Sequence, residues 1–213
     1  MAIFDDNIRK QLIDLLGEVP QKVNILLFKS EENCRSCKDT QQYMTEFSEL
    51  NDNIDLQVFD IDKNQDQVDK YQIKRVPSIV ILDKDNNDKG IRFNGIPAGY
   101  EIHSLMAAVK DTAGVESGIT EEQKNRISKI DKNIHIQVFV TPTCPHCPTA
   151  VIYAHKIAER NDKVVGEMIE ATTFPDLSQK YGVRGVPKII INETHEFVGA
   201  QPLDVFLDTI EKI

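Results

Sequence analysis

The sequence predicts an α/β protein in which one unit is written twice. Three observations carry this prediction: an internal match at a fixed offset, the same succession of strand-like and helix-like stretches in each half, and cysteines confined to two Cys-x-x-Cys pairs. At an offset of 110 positions, Cys34 and Cys37 fall on Cys144 and Cys147. Lys70-Tyr71-Gln72-Ile73-Lys74-Arg75-Val76-Pro77 likewise falls on Lys180-Tyr181-Gly182-Val183-Arg184-Gly185-Val186-Pro187. The first cysteine precedes the proline by 43 residues in both halves. Two motifs recurring at one internal spacing identify a duplication, which fixes the organisation before any single element does.

Each element follows from its pattern. Asp6 to Leu16 carries Ile8, Leu12, Leu15 and Leu16 at helical spacing and reads as an opening helix. Val23 to Phe28 is a short apolar run, a buried strand that delivers the chain to the first cysteine pair. Tyr43, Met44, Phe47 and Leu50 form the apolar stripe of the helix that follows, and a second strand ends near Asp60-Ile61-Asp62. Ile79 to Leu82, just after the proline, is a β-branched run of a central strand. A polar turn from Asp83 to Gly90 leads to Gly95 and then to a closing helix through Ile102, Leu105, Met106 and Val109. The junction falls in the small, polar stretch Ala113 to Gly118, dividing the chain into units 1–117 and 118–213. Thr120-Glu121-Glu122-Gln123 has the form of a capping box that opens the second unit's leading helix. That unit repeats the succession with Ile134 to Val140, a helix bearing Ala150, Val151, Ala154, Ile157 and Ala158, a strand ending at Glu170, Ile189 to Ile191, Gly199, and a helix through Leu203, Phe206, Leu207 and Ile210.

Composition excludes several classes. The 213 residues are 40% hydrophobic and 28% charged, which suits a folded chain with a sizeable core. A net charge of −9 argues against a general nucleic-acid binder, which needs clustered Lys and Arg. No stretch approaches the ~18 apolar residues of a membrane helix. The first residues, Met1 to Asp6, carry acids where an export signal would be basic, so a cytoplasmic location is expected. Acidic residues are concentrated in the first unit, 21 against 13, without forming a block. His103, His135, His155 and His195 belong to no motif and read as ordinary surface or satisfied side chains.

All four cysteines sit in pairs, whereas a disulfide scaffold scatters them to staple distant segments. In a chain without an export signal, such pairs are redox-active or metal-binding. Two pairs have the ligand count of a Cys₄ zinc site, but zinc pairs usually lie ~15–20 residues apart rather than each in its own complete unit. For redox chemistry the thiolate is the reactive form, and a helix N-terminus with its free N–H groups favours the anion. Cys34 and Cys144 are therefore the expected nucleophiles, with Cys37 and Cys147 resolving the mixed disulfide. The flanking residues should tune the sites differently. Pro145 is expected to stiffen the first helical turn and His146 to stabilise the Cys144 thiolate, making the C-terminal pair the better oxidant. Arg35, beside Ser36, offers the first site a similar charge on a long, solvated side chain.

A strand, a Cys-x-x-Cys at a helix start and a distant Val-Pro, present twice, resemble the thioredoxin fold over the whole chain. More specifically, the chain resembles the protein disulfide oxidoreductases (glutaredoxin-like proteins) of archaea and some bacteria, which fuse two thioredoxin units. That resemblance implies tandem thioredoxin folds, each a mixed central β-sheet flanked by helices, and thiol–disulfide exchange on protein substrates by reduction, oxidation or isomerisation. It implies cis peptide bonds at Pro77 and Pro187, with the backbone of Val76 and Val186 binding an extended peptide. No dissolved cofactor is implied, since the dithiol carries the two electrons. An NADPH-dependent thioredoxin reductase is the implied electron donor, and a narrower variant is an electron-transfer adaptor feeding a peroxidase, a peroxiredoxin for example. Thioredoxins carry a buried acid six residues before the first cysteine, where this chain has Phe28 and Val138. Asp60, Asp62 and Glu170, at strand ends, stand as alternative proton acceptors or as plain surface carboxylates.

Overall fold

Alternation of side chains decides which layer each strand serves. In β1 (Val23–Lys29), Val23, Ile25 and Leu27 enter one core while Leu26 and Phe28 enter another on the opposite face. In β5 (Ile134–Val140), Ile134, Ile136, Val138 and Val140 oppose Phe139 in the same way. Strands buried on both faces read as continuous apolar runs, which is why both were legible. These features are seen in a computed structural model of the chain that describes residues 2–115 and 118–213. The expected junction between 117 and 118 touches Glu116 and Ser117, which lie outside the described residues.

The first half runs α1 (Asp6–Leu16), β1, α2 (Cys37–Ser48), β2 (Ile54–Asp60), α3 (Gln65–Lys70), β3 (Ser78–Leu82), β4 (Asp88–Asn94), a 3-10 turn (Gly99–Glu101) and α4 (Ile102–Thr112). The second runs α5 (Glu121–Ser128), β5, α6 (Cys147–Arg160), β6 (Val164–Glu170), α7 (Pro175–Lys180), β7 (Lys188–Ile191), β8 (His195–Val198) and α8 (Leu203–Ile210). The capping box is present at α5: Thr120 accepts from the Gln123 N–H, and the Gln123 side chain accepts from the Thr120 N–H.

Each unit contributes a four-stranded mixed sheet, and the two are halves of one sheet in the order β2-β1-β3-β4-β6-β5-β7-β8. The seam is a parallel pairing of β4 with β6, from Ile91 opposite Gly166 to Asn94 opposite Ile169. Following the pair directions across the sheet, β1 and β5 point the same way. Both cysteine pairs therefore leave the sheet at one edge, four strand spacings or ~19 Å apart.

One face of the sheet carries a core continuous through both units, filled by Leu16 of α1, Phe47 of α2, Val109 of α4, Ile127 of α5, Ile157 of α6 and Phe206 of α8. The other face carries two separate clusters: Tyr71 against Phe28 beside α3, and Tyr181 against Phe139 beside α7. Close contact seals the first face at the seam. A Cβ at Gly166 would stand 2.7 Å from the Ala154 carbonyl oxygen, so only glycine lets α6 lie this close to β6. His155 is fully buried there, edge-on to Phe93, and its Nε2 donates to the Arg92 carbonyl at 3.1 Å. Burial pushes its imidazole down to about 4, which keeps it neutral. Lys156 and Asp111, both buried, pair at 3.0 Å between α6 and α4. His155 is thus a part of the inter-unit core rather than a surface residue.

Two expectations need correction, and two helices were not foreseen. On α1 only Leu12 and Leu16 of the expected stripe are buried; Ile8 and Leu15 face outward, and Phe4 and Val19 complete the contact instead. The polar turn is shorter than expected. Asp83 accepts from the N–H groups of Asp85 and Asn87, and β4 already begins at Asp88. The six-residue helices α3 and α7 gave no sequence signal, because neither has a fully buried residue to write an apolar stripe. No helix among the described residues is long and apolar enough to cross a membrane.

Candidate active sites

Each site is built by one strand, one helix start and one proline loop. β1 and β5 end in the short turns that carry Cys34 and Cys144, and α2 and α6 begin at Cys37 and Cys147. Cys34 is joined to Cys37 and Cys144 to Cys147 as disulfides, with Cα–Cα distances of 5.4 and 5.5 Å. The inner sulfurs are covered, Cys37 at 2% exposure and Cys147 at 0%. The outer cysteines differ: Cys34 is half-buried, whereas Cys144 is only 9% exposed. The peptide bonds Val76–Pro77 and Val186–Pro187 are both cis. At the second site Cys144 Sγ lies 3.8 Å from the Val186 carbonyl oxygen, which brings the proline loop onto the sulfur.

Ser36 and His146 are the N-cap residues of α2 and α6, and neither caps with its side chain. The outer cysteines thus stand three positions before the first helical residue, each joined to that residue by its disulfide and facing the positive end of the helix dipole. Pro145 lies before α6 rather than in its first turn; Pro148 holds the second helical position. Arg35 and His146 are both exposed. Ser36, Arg35 and Val76 meet Cys34 in one cleft of about 710 Å³. The two pairs, ~19 Å apart by strand spacing, cannot share one zinc ion, whose four sulfurs would each sit ~2.3 Å from the metal.

The strand-end carboxylates have other partners. Asp60 accepts from Lys63 and from the Asp62 N–H, which hold its carboxyl below the usual range. Asp62 accepts from the Ser30 hydroxyl at 3.2 Å. Glu170, 3% exposed, accepts from the N–H and hydroxyl of both Thr172 and Thr173.

A different buried carboxylate, one that sequence reasoning missed, lies in a turn held against the second unit. Glu101 ends the 3-10 turn of the first unit and is 1% exposed. That turn is pinned to the second unit: the Tyr100 N–H donates to the carbonyl of Pro142, two residues before Cys144, and a Cβ at Gly99 would meet that oxygen at 2.2 Å. The turn also packs against α6, which starts at Cys147. Burial pushes the Glu101 carboxyl up to about 7, only partly offset by the Ser104 hydroxyl donating to Oε2 at 2.5 Å; Oε1 has no partner. A lone Glu after Gly-Tyr carries no motif, and only the fold brings its turn against the second unit's α6 and the loop before Cys144.

The first site is tied across the seam differently. Arg75, adjacent to Val76, pairs with Glu167 of β6 at 3.1 Å, and His135 of β5 reaches the same oxygen at 3.1 Å. Burial alone would raise the Glu167 carboxyl, but these two partners outweigh it and hold it at about 2. The repeat places Gly185 where the first unit has Arg75, so the second site lacks this tie.

The family comparisons agree with this geometry. A thioredoxin family model matches residues 6–110, and a thioredoxin-domain model matches residues 134–212. Among curated proteins, the NADH dehydrogenase of Bacillus subtilis is 22% identical over 190 residues, and the F component of alkyl hydroperoxide reductase from Staphylococcus aureus 23% over 183. The matches take 89% and 86% of this chain, which spans about a third of those relatives' length, 34% and 32%. Among solved structures, the F component of alkylhydroperoxide reductase from Enterococcus faecalis is 28% identical with a TM-score of 0.91, covering 97% of this chain and 99% of that one. A protein disulfide oxidoreductase from Aeropyrum pernix is 30% identical with a TM-score of 0.91, covering 99% and 94%. Because that relative matches over nearly the whole of both chains and both halves carry thioredoxin matches, the chain belongs to the protein disulfide oxidoreductases built from two fused thioredoxin-fold units.

Proposed function

We propose that both cysteine pairs of this thiol–disulfide oxidoreductase work on protein substrates, one in each of the units 1–117 and 118–213. The observation that carries this reading is the pairing of each closed Cys-x-x-Cys with its own cis-proline loop on one edge of a single sheet. In the reducing direction the outer cysteine's thiolate, Cys34 or Cys144, attacks the substrate disulfide. A mixed disulfide forms, and the substrate's other sulfur leaves as a thiolate and takes up a proton. The inner cysteine, Cys37 or Cys147, loses its proton and attacks the outer one, closing the protein disulfide and releasing the second substrate thiol. Two electrons pass from dithiol to substrate, and oxidation is the reverse. The backbone of Val76 and of Val186 aligns the extended substrate. At the second site Glu101 serves as the acceptor for the Cys147 proton: its turn packs against α6, which begins at Cys147, and a buried carboxyl titrating near neutrality can both take and return a proton. Arg35, Ser36, Pro145 and His146 are the residues that set the two potentials apart.

Electrons reach the reduced state through a flavin-dependent, NADPH-using thioredoxin reductase, and the setting is cytoplasmic. A second reading, an adaptor that passes electrons to a peroxiredoxin, is favoured by the 28% identity to the F component of alkylhydroperoxide reductase over almost all of this chain. Insulin reduction by wild type, Cys34→Ser and Cys144→Ser, with and without a thioredoxin reductase, tests the first reading. Turnover should need the reductase and fall most in Cys144→Ser; full activity in both variants overturns the site assignment. Replacing insulin by a peroxiredoxin and peroxide tests the second.

A further inference from the structure

The cleft over Cys34 is not made by the first unit alone. Cys34, Arg35, Asp39 and Val76 of the first unit line it together with Thr172, Thr173 and Phe174, from the loop between β6 and α7 of the second unit. That loop is preformed. The buried Glu170 carboxylate takes hydrogen bonds from both threonine N–H groups, at 3.0 and 2.7 Å, and from both hydroxyls. The backbone that follows β4 lies close against its base, since a Cβ at Gly95 would stand 2.5 Å from Glu170 Cβ. Phe174 is half-buried, its inner edge packed in the cluster beside α7. The Arg75 guanidinium lies 6.0 Å from its ring centroid while pairing with Glu167, so one side chain ties the first unit's proline loop to the second unit's aromatic ring.

We propose that Phe174 determines specificity at the Cys34 site: it forms, with Val76, an apolar subsite for a side chain flanking the substrate's cysteine. This rests on the reading that Cys34 exchanges disulfides with extended peptides. A peptide laid along the Val76 backbone sends successive side chains to opposite sides about 3.3 Å apart. With its cysteine on Cys34, a neighbouring side chain therefore reaches the wall that Phe174 forms. The two charges of the cleft, Arg35 and Asp39, are of opposite sign, which leaves the Phe174–Val76 surface to discriminate. An apolar contact of this kind discriminates by roughly 10-fold or more. The chemical step is unchanged: the Cys34 thiolate attacks, a Cys34–peptide disulfide forms, and the second peptide sulfur leaves as a thiolate.

The test uses the full chain with Cys37→Ser, Cys144→Ser and Cys147→Ser, so that Cys34 is the sole thiol and every reaction stops at the mixed disulfide. Rates of mixed-disulfide formation are measured with two symmetric peptide disulfides, one with leucine beside the cysteine and one with serine. The leucine peptide should react about tenfold faster. Phe174→Ala should bring the ratio close to one, and Phe174→Leu should retain most of it, which separates a lost contact from a disturbed loop. Equal rates with Phe174 in place, or a preference that survives Phe174→Ala, overturns the assignment. A Cys34 that forms no mixed disulfide with either peptide overturns the underlying reading of the first site as well, and is told apart from loss of selectivity by the absence of product.

Discussion

The two cysteine sites share a strand, a turn, a helix start and a cis-proline loop, yet their surroundings set them apart. Cys34 is half-buried in a cleft that the other unit helps to line, and its proline loop is tied across the seam through Arg75 and Glu167. Cys144 is nearly covered, lacks that tie, and is backed by the other unit's turn, which brings a buried acid to α6. Duplication gave the two sites the same reagents. Fusing their sheets at β4 and β6 made each unit part of the other's site, and that asymmetric contact gives each site its own character.

The strongest way to break this comparison is at Glu101. If it takes the Cys147 proton, Glu101→Gln should slow turnover at the second site by roughly 100-fold near pH 7 and leave the first site's rate unaltered. Steady-state rates in Cys34→Ser and Cys144→Ser backgrounds check this, and equal losses at both sites would remove the distinction. Stability should move the other way. Because the folded carboxyl titrates at about 7 against an ordinary 4.5, stability is lost as pH rises from 4.5 to 7, by about 3 kcal/mol once fully ionised. Denaturant melts at pH 8 should therefore find Glu101→Gln the more stable protein.

His155 tests whether the units behave as one body. Its folded value of about 4 lies below the ordinary 6.5, so the unfolded chain binds the proton first. Stability should thus be full above pH 6.5 and fall by about 3 kcal/mol as pH drops to 4. Since the ring sits in the seam, both halves should melt together on acidification; near-ultraviolet and hydrogen-exchange probes from each half should coincide. Two separate transitions would show that the seam is weaker than its packing implies.

Arg75→Met sharpens the contrast at the first site. Removing one partner of a largely buried carboxylate leaves Glu167 with His135 alone, a loss of about 2–3 kcal/mol. The Cys34 site should slow while the Cys144 site keeps its rate, as separate single-site assays would read. The smallest effect compares two glycines. Gly99→Ala drives a Cβ into the Pro142 carbonyl oxygen and should cost more than about 2 kcal/mol, with loss of activity at the second site. Gly182→Ala meets nothing within 4 Å and should cost only the strain of its φ of +56°, ~1 kcal/mol, with both sites intact.

The repeat, six of the eight strands and the four cysteines were legible because their signals are local; β4 and β8, the strands before Gly95 and Gly199, were not read. Val23 to Phe28 and Ile134 to Val140 are apolar on both faces, and Thr120 and Gln123 satisfy a cap within four residues. The prolines were legible through a resemblance and a shared spacing rather than through chain physics. What stayed hidden has no local signature. The helices α3 and α7 bury no residue completely. Ile8 and Leu15 have the spacing of a core stripe, but the core closes with Phe4 and Val19 instead.

The sequence by itself determined the chemistry of this protein: two strand–dithiol–helix units, each with a proline loop at one fixed distance from its cysteines. Only the tertiary structure decided how those units meet. Glycine at 90, 95 and 99 lets the first half approach Val164, Glu170 and Pro142 of the second; Glu101 and His155 are buried and most of the Glu167 side chain is covered. A carboxyl driven to about 7 and another held at about 2 are products of burial and of partners more than 30 residues away. No window of sequence contains both a group and the environment that shifts it, so the chain specified the reagents while the fold assigned their strengths.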